Sequence, residues 1–212
     1  MPVLVEGKHT AEFLVTEGGG YISRDQVVVA SGSGIVEPAT VIGAQRVADT
    51  VAVAAAPGNT GNGTVGAVTT GLKVEVGIYT LVATAATKFD VLTPSGDKLK
   101  GLTTGAAYAS DHINLTVTAG GTAFVAGDTI EVTVDAGNMK VGPLDLTADD
   151  GTQAAYGILY ARVDATSADA RGTAITRHAE VNGVDLIWPD GITSGQKAAA
   201  VAQLADRGII VR

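Results

Sequence analysis

Hydrophobic and polar residues alternate with period two along much of this chain, and that pattern predicts strands. Ile113, Leu115 and Val117 are interleaved with Asn114, Thr116 and Thr118, and Ile130, Val132 and Val134 with Glu131 and Thr133. Each series marks a half-buried strand. Further strands are predicted over Ser23–Ala30, closed by the turn Ser31-Gly32-Ser33-Gly34, and over Ile35–Gly43, where Pro38 implies an edge or a bend. Phe89–Leu92 and Lys98-Leu99 flank a strong turn, Pro94-Ser95-Gly96-Asp97, and Ala126-Gly127-Asp128 turns the chain into the strand that follows. A dense apolar run, Ala154–Tyr160, follows the turn Asp149–Thr152, and a second ends in Leu186-Ile187-Trp188-Pro189. The pattern changes to helical spacing once. Thr193 and Gln196 form a capping-box signature, Ala198, Val201, Ala202, Leu204 and Ala205 share one helical face, and Gly208 sits where a left-handed C-terminal cap belongs. Ile209–Val211 then closes the chain as a short strand. The fold class expected is therefore mainly β (α+β), with one C-terminal helix.

Composition shifts near Val53, and from 54 to 136 the chain is rich in Gly and Thr and reads as a small β-sandwich. Pro57–Gly63 looks like a flexible linker into this block, and Asp135–Asn138 like the way out. Excising the block joins Val41–Ala44 to Met139–Val141. The expected domains are thus an N-terminal segment, 1–20, a core made of 21–53 and 137–212, and an inserted β domain, 54–136. Such an insertion is tolerated because loop-closure entropy grows only slowly with length. The alternative is one larger continuous sandwich. Within the N-terminal segment, Ala11, Glu12, Phe13, Leu14, Val15 and Thr16 can form a strand, and Gly18-Gly19-Gly20 lets it swing free. It reads either as a frayed terminus or as an arm that adds a strand to a partner's sheet edge.

The 46% hydrophobic content excludes a disordered chain, and 28 glycines beside only 4% aromatics favour short β-branched strands joined by glycine turns. With 14 basic and 22 acidic residues the net charge is −8, a surface that repels phosphate backbones and argues against nucleic acid. There is no cysteine, hence no disulfide framework, thiolate zinc site or Cys nucleophile. No run approaches the roughly 18 apolar residues of a membrane span, and Lys8 and His9 precede no apolar signal region, so neither a membrane segment nor a secretory leader is expected.

Ser194 and Lys197 satisfy S-x-x-K, but the partner motifs S-D-N and K-T-G are missing, and a helix start explains the residues better. His9, His112 and His178 lie in three segments without i, i+4 pairing. Asp149 and Asp150 suit a turn and lack calcium-loop spacing. No Lys-Ser or Lys-Thr follows the glycine runs, so a phosphate loop is rejected. Asn62 and Asn114 begin glycosylation triplets, which mean little without a secretory route. No catalytic, cofactor or metal site is expected, and the chain does not read as an enzyme.

One resemblance accounts for the rest. The pattern D-G-T-x-A-A-x-G-I-L at Asp150–Leu159, D-A-T at Asp164–Thr166, R-x-x-E-V at Arg177–Val181 and L-x-W-P at Leu186–Pro189 resembles the head decoration proteins of tailed bacteriophages, the lambda D type. S-R-D-x-V-x-V-A-S-G from Ser23 and P-A-T-V-I-G from Pro38 resemble the start of that family's core. The similarity covers roughly 21–53 and 139–212; the block 54–136 departs from the basic family pattern. The resemblance implies a homotrimer on the outer surface of the expanded capsid, at (quasi-)threefold positions, with the major capsid protein as partner. It also implies an N-terminal capsid-binding arm (Ala11–Thr16) and Trp188 and Pro189 in the core near the trimer contact. The location implied is the virion, after synthesis in the host cytoplasm. The inserted domain is then expected to project outward, where a host-surface or glycan ligand is conceivable. The competing reading is a secreted β-sandwich binding module or adhesin, against which the scarcity of aromatics argues.

Overall fold

The computed structural model describes residues 6–19 and 22–212. The chain divides into two compact units, one comprising the chain up to Gln45 and again from Met139, the other Arg46–Asn138. Its regular structure is mostly strand, with one helix, near the C-terminus, among the described residues.

The first unit is built on a closed five-stranded barrel. Around it run Val141–Pro143, Arg24–Val29, Ala170–Ile175, Ala155–Leu159 and Val41–Ala44, which pairs back to Val141–Pro143. All neighbours are antiparallel except Val141–Pro143 and Arg24–Val29, which meet in parallel at Val141 and Val29. In Arg24–Val29 the alternation holds: Val27 and Val29 point inward while Gln26 and Val28 are exposed. Closure removes the open edges that a five-stranded sheet would otherwise present. The strand expected over Ile35–Gly43 is two strands, Gly34–Val36 and Val41–Ala44, separated at Pro38 and at Ala39, whose φ is 71°. The first of these pairs with Val163–Ala165 in a small ribbon.

Two glycines of the recurring motifs permit close backbone approach. A Cβ on Gly43 would lie 2.0 Å from the Thr152 carbonyl oxygen, and one on Gly157 would lie 2.4 Å from that of Ile175. The Asp149–Thr152 turn and the strand Ala170–Ile175 therefore press directly onto the main chain at these two points.

Outside the barrel, Ala179–Val181 is the middle strand of three, antiparallel to Leu14–Glu17 and parallel to Ile209–Val211. The helix Ser194–Asp206 begins with the expected capping box at Thr193 and Gln196, and Gly208 (φ 76°) follows its C-cap. Its inward face differs from the expected one. Ala200 and Leu204 are buried, with Val201 and Gln203 half-buried, while Ala198, Ala202 and Ala205 face solvent. Alanines mark a face weakly, and the Gln203 amide oxygen accepts the Ala155 N–H at 2.7 Å, which turns a polar residue inward.

The second unit has two antiparallel sheets that share one core. The larger runs Leu102–Thr103, Lys88–Leu92, Gly77–Ala85, Thr129–Ala136, Val47–Ala55; in the smaller, Ile113–Thr118 pairs with Ala107–Tyr108, Thr64–Val65 and Thr69–Thr70. Ile113, Leu115, Val117, Ile130, Val132 and Val134 all turn inward, onto Tyr79, Leu81, Phe89 and Phe124. Three boundary expectations are corrected. This unit starts at Arg46 and not near 54, because Val47–Ala55 is one of its strands and Val47 one of its core residues. Pro57–Gly63 is no loose linker. Asn59 mimics a strand, exchanging hydrogen bonds with the Thr129 main chain at 2.6 and 2.9 Å. The Asp128 carboxylate accepts the N–H groups of Thr60 (2.9 Å), Gly61 (2.8 Å) and Val125 (3.0 Å). Gly61 and Gly63 lie so close to Phe124 that a Cβ on either would meet it at 2.5 Å. Asp135 and Ala136, expected in the outgoing linker, end the strand Thr129–Ala136, and Gly137 donates to the Arg46 carbonyl at 2.8 Å.

Candidate functional site

The stretch Ala11–Thr16 is built into the first unit. Ala11 (φ 61°) donates its N–H to the Tyr160 carbonyl at 3.1 Å, and the Phe13 carbonyl accepts from Asn182 at 2.8 Å. Phe13 is 0% exposed, in one core with Val41, Ile158, Val181, Leu204 and Ile209. Leu14–Glu17 then pairs with Ala179–Val181, with a bulge between Leu14 and Thr16. At the far end Gly18 donates to the His178 carbonyl (2.8 Å) and to Ser23 Oγ (2.9 Å), and Ser23 Oγ donates to the same carbonyl at 2.7 Å. The expected free-swinging arm is thus corrected for 11–18. The anchoring aromatic and the ladder outweigh the freedom that Gly18 and Gly19 offer, while Met1–Val5 and Gly20 lie outside the described residues.

What this strand presents outward is one edge and one side chain. It is the terminal strand of its sheet among the described residues, and Val15 is 53% exposed beside Glu12 and Thr16, both also exposed. Glu17 is gripped by Arg24, whose Nε donates to Oε2 at 2.9 Å. That hydrogen bond holds the Glu17 carboxyl below the usual carboxylate range and raises the guanidinium's own affinity for its proton. The Arg24 guanidinium also stacks 4.3 Å from the centre of the Tyr160 ring. On the other edge Arg212 pairs with Glu180 and lowers that carboxyl in the same way. Neither ion pair stood out in the sequence, since each joins residues related only through strand register or a turn.

Trp188 and Pro189 are half-buried. The indole packs on the core around Phe13, with the Lys197 ammonium 5.2 Å from its ring centre, while its Nε1 is buried without a hydrogen-bond partner among the described residues. Ser194 opens the helix, so the S-x-x-K lysine lies over an aromatic face. The histidines are apart. His9 meets Glu6 Oε1 at 3.0 Å, His112 meets the Tyr79 hydroxyl at 3.3 Å, and His178 (φ 47°) lies against Gly208. Asp150 Oδ1 accepts the Thr152 N–H at 2.9 Å, closing a turn at Gly151. The same Asp-x-Thr device recurs at Asp145/Thr147 and Asp164/Thr166, where the threonine hydroxyl and N–H hold each carboxyl below its ordinary range. Among the described residues, no group of three His, Cys, Asp or Glu side chains is placed to hold a metal ion, and no helix is long and apolar enough to cross a membrane.

A barrel with a docked edge strand and a capped helix, split by a second β unit, is the setting for the comparison with known families. The family model for bacteriophage lambda head decoration protein D matches residues 3–209. The chain belongs to that family. That family is one of structural head decoration proteins, and the membership supports a structural, capsid-decoration role. No curated protein matches the chain. Among solved structures, two crystal forms of Xanthomonas campestris FlgL are similar at 16% and 20% identity, covering 50% and 47% of this chain, with TM-scores of 0.33 and 0.34. The chain's match spans about a third of the FlgL chains (34% and 33%), and a likeness at that score carries no argument.

Proposed function

We propose that this lambda D family protein is a homotrimer that binds the outer surface of the expanded capsid and stabilises it. The observation that supports the reading is the edge strand Leu14–Glu17, paired on one side with Ala179–Val181 and, among the described residues, open on the other. A strand of the major capsid protein added at that edge gains main-chain hydrogen bonds without the entropy cost of ordering a loose arm. Ala11–Thr16 is then the capsid-binding segment, acting as a preformed edge. A ligand that binds only the expanded shell shifts the equilibrium toward it by mass action. Threefold symmetry presents three such edges, and effective concentration multiplies a weak strand addition. Trp188 and Pro189 lie beside the subunit contact in this reading. The unit Arg46–Asn138 projects outward, where its own core leaves it free to contact a host surface or glycan. Its independence is supported by adjacent chain ends: Arg46 accepts the Gly137 N–H within it.

The test is Val15→Lys, which places a charge on the open edge, a device that natural edge strands use to prevent pairing. The variant is expected to keep its unfolding midpoint and oligomeric state but to lose binding to expanded shells stripped of decoration protein. Undiminished binding refutes the edge as the docking site.

A further inference from the structure

We propose that the second unit pairs with its counterpart in another copy of this chain, through the edge strand Val47–Ala55, in an antiparallel two-fold register centred on Val53. Among the described residues, the five-stranded sheet of this unit ends on two unlike strands. One edge, Leu102–Thr103, is two residues long; the other, Val47–Ala55, is nine. A short edge is one device by which a sheet discourages pairing, and a charge, a proline or a bulge are others. From Val51 to Ala55 the long edge has none of these. The run is Val-Ala-Val-Ala-Ala, paired in unbroken register with Ile130–Val134.

The ladder fixes which main-chain groups the edge holds out. Ala56 donates its N–H to the Thr129 carbonyl at 3.0 Å, in the pair that follows Ala55 and Ile130. Main-chain groups on an antiparallel strand alternate sides, so Ala52 and Ala54 also aim theirs at Thr129–Ala136, while Val51, Val53 and Ala55 aim theirs away from it. In a two-fold pairing about Val53, that residue meets Val53 of the second copy and Val51 meets Ala55. Each such pair exchanges N–H to C=O hydrogen bonds in both directions, and the neutral run meets only itself. The side chains suit a like neighbour. Val53 stands opposite Val132, which is 0% exposed, yet is itself 39% exposed, with no strand beyond it among the described residues. The same valine of a second copy covers it, and Ala52 and Ala54 on the other face are too small to obstruct the approach. With a net charge of −8, two copies repel over most of their surfaces, so they meet best where charge is absent, and a charged partner strand finds no counter-ion here. The contact does not rest on the shell-binding reading, whose edge lies in the first unit.

The chain has no cysteine, so introduced ones report the pairing without background, and oxidation captures even a transient contact. The register sets Ala52 of one copy opposite Ala54 of the other, a non-hydrogen-bonded pair with Cα atoms about 4.5 Å apart, within disulfide reach. The two Ala52 residues are only diagonal neighbours, at about 7–8 Å, and lie beyond that reach. Full-length Ala52→Cys and Ala54→Cys chains are oxidised mildly, each alone and then mixed. Disulfide-linked dimers are expected from the mixture and from neither chain alone. Adding Val53→Lys to both chains sets like charges face to face and is expected to abolish the link while the far-UV spectrum is kept. Four results overturn the proposal: equal linking in all samples, which marks random collision; linking of Ala52→Cys with itself, which marks another register; a link that survives Val53→Lys; and no link in any sample.

Discussion

Replacing Phe13 by alanine separates a docked N-terminal strand from a loose one by a large margin. The ring is 0% exposed within the core of the first unit. Burying a phenylalanine removes about 150–250 Å² from water, which at about 25 cal/mol per Å² is about 4–6 kcal/mol as an upper estimate. Phe→Ala substitutions in cores cost about 3–5 kcal/mol. The two routes agree near 4 kcal/mol, a large part of the roughly 5–15 kcal/mol that holds a domain folded. Two units in one chain make a single global transition an unsafe measure. Trp188 lies in the first unit, so urea unfolding followed by its emission reports that unit alone. With a slope of about 2 kcal/mol per M, the Trp-detected midpoint is expected to fall by about 1.5–2.5 M. A free arm predicts no shift at all. A Phe13→Ala midpoint within about 0.3 M of the natural chain, some 0.6 kcal/mol at that slope, refutes the docked strand.

The second unit offers the complementary experiment at Asp128. Its carboxyl is held below the ordinary range by the N–H groups of Thr60 and Val125, and further by Gly61. A depressed folded value means the contribution is complete above the unfolded carboxylate pKa of about 4 and is lost as pH falls through the folded value. Asp128→Asn is therefore expected to speed hydrogen exchange across Thr129–Ala136 at neutral pH, to converge with the natural chain in acid, and to leave the Trp188 midpoint unmoved; equal exchange at neutral pH counts against the anchor. In the barrel, Gly43→Ala forces a Cβ toward the Thr152 carbonyl, 2.0 Å away before any shift. A loss of about 1–3 kcal/mol or more is expected in the Trp-detected transition, and a neutral substitution contradicts the close approach.

The sequence was most legible where one physical signal decided the outcome. Ile113–Val117 and Ile130–Val134 alternate strictly because one face of each strand meets the core, and Thr193, Gln196 and Gly208 mark helix ends through backbone chemistry that needs no tertiary partner. Closure of the barrel was not legible, because it depends on Val141 meeting Val29 across the intervening unit's residues. The glycine-rich stretches were misread for a related reason. Composition does not distinguish a glycine that gives mobility from one that makes room. Gly61 and Gly63 are there because the Phe124 ring occupies the space a Cβ would take.

The same ambiguity governs the N-terminal stretch. Gly18-Gly19-Gly20 suggested a hinge, yet Phe13 is the one aromatic among residues 1–20 and heads the apolar run Phe13-Leu14-Val15, and the physical cost of leaving it in water was a signal that it is buried. Giving that side chain its weight changes how the strand after it can work. A mobile arm loses conformational freedom when it adds to a partner's sheet, at about 1–2 kcal/mol per residue ordered. Leu14–Glu17 is already ordered by Phe13 on one side and by the Ser23, Gly18 and His178 hydrogen bonds on the other. Four preordered residues thus spare roughly 4–8 kcal/mol on docking, comparable with the whole free energy of a micromolar contact at about 8 kcal/mol. Under the proposed docking, the affinity of the edge for a shell rests on folding of the first unit. Phe13→Ala is accordingly expected to weaken shell binding as well as stability, although Phe13 itself is wholly enclosed.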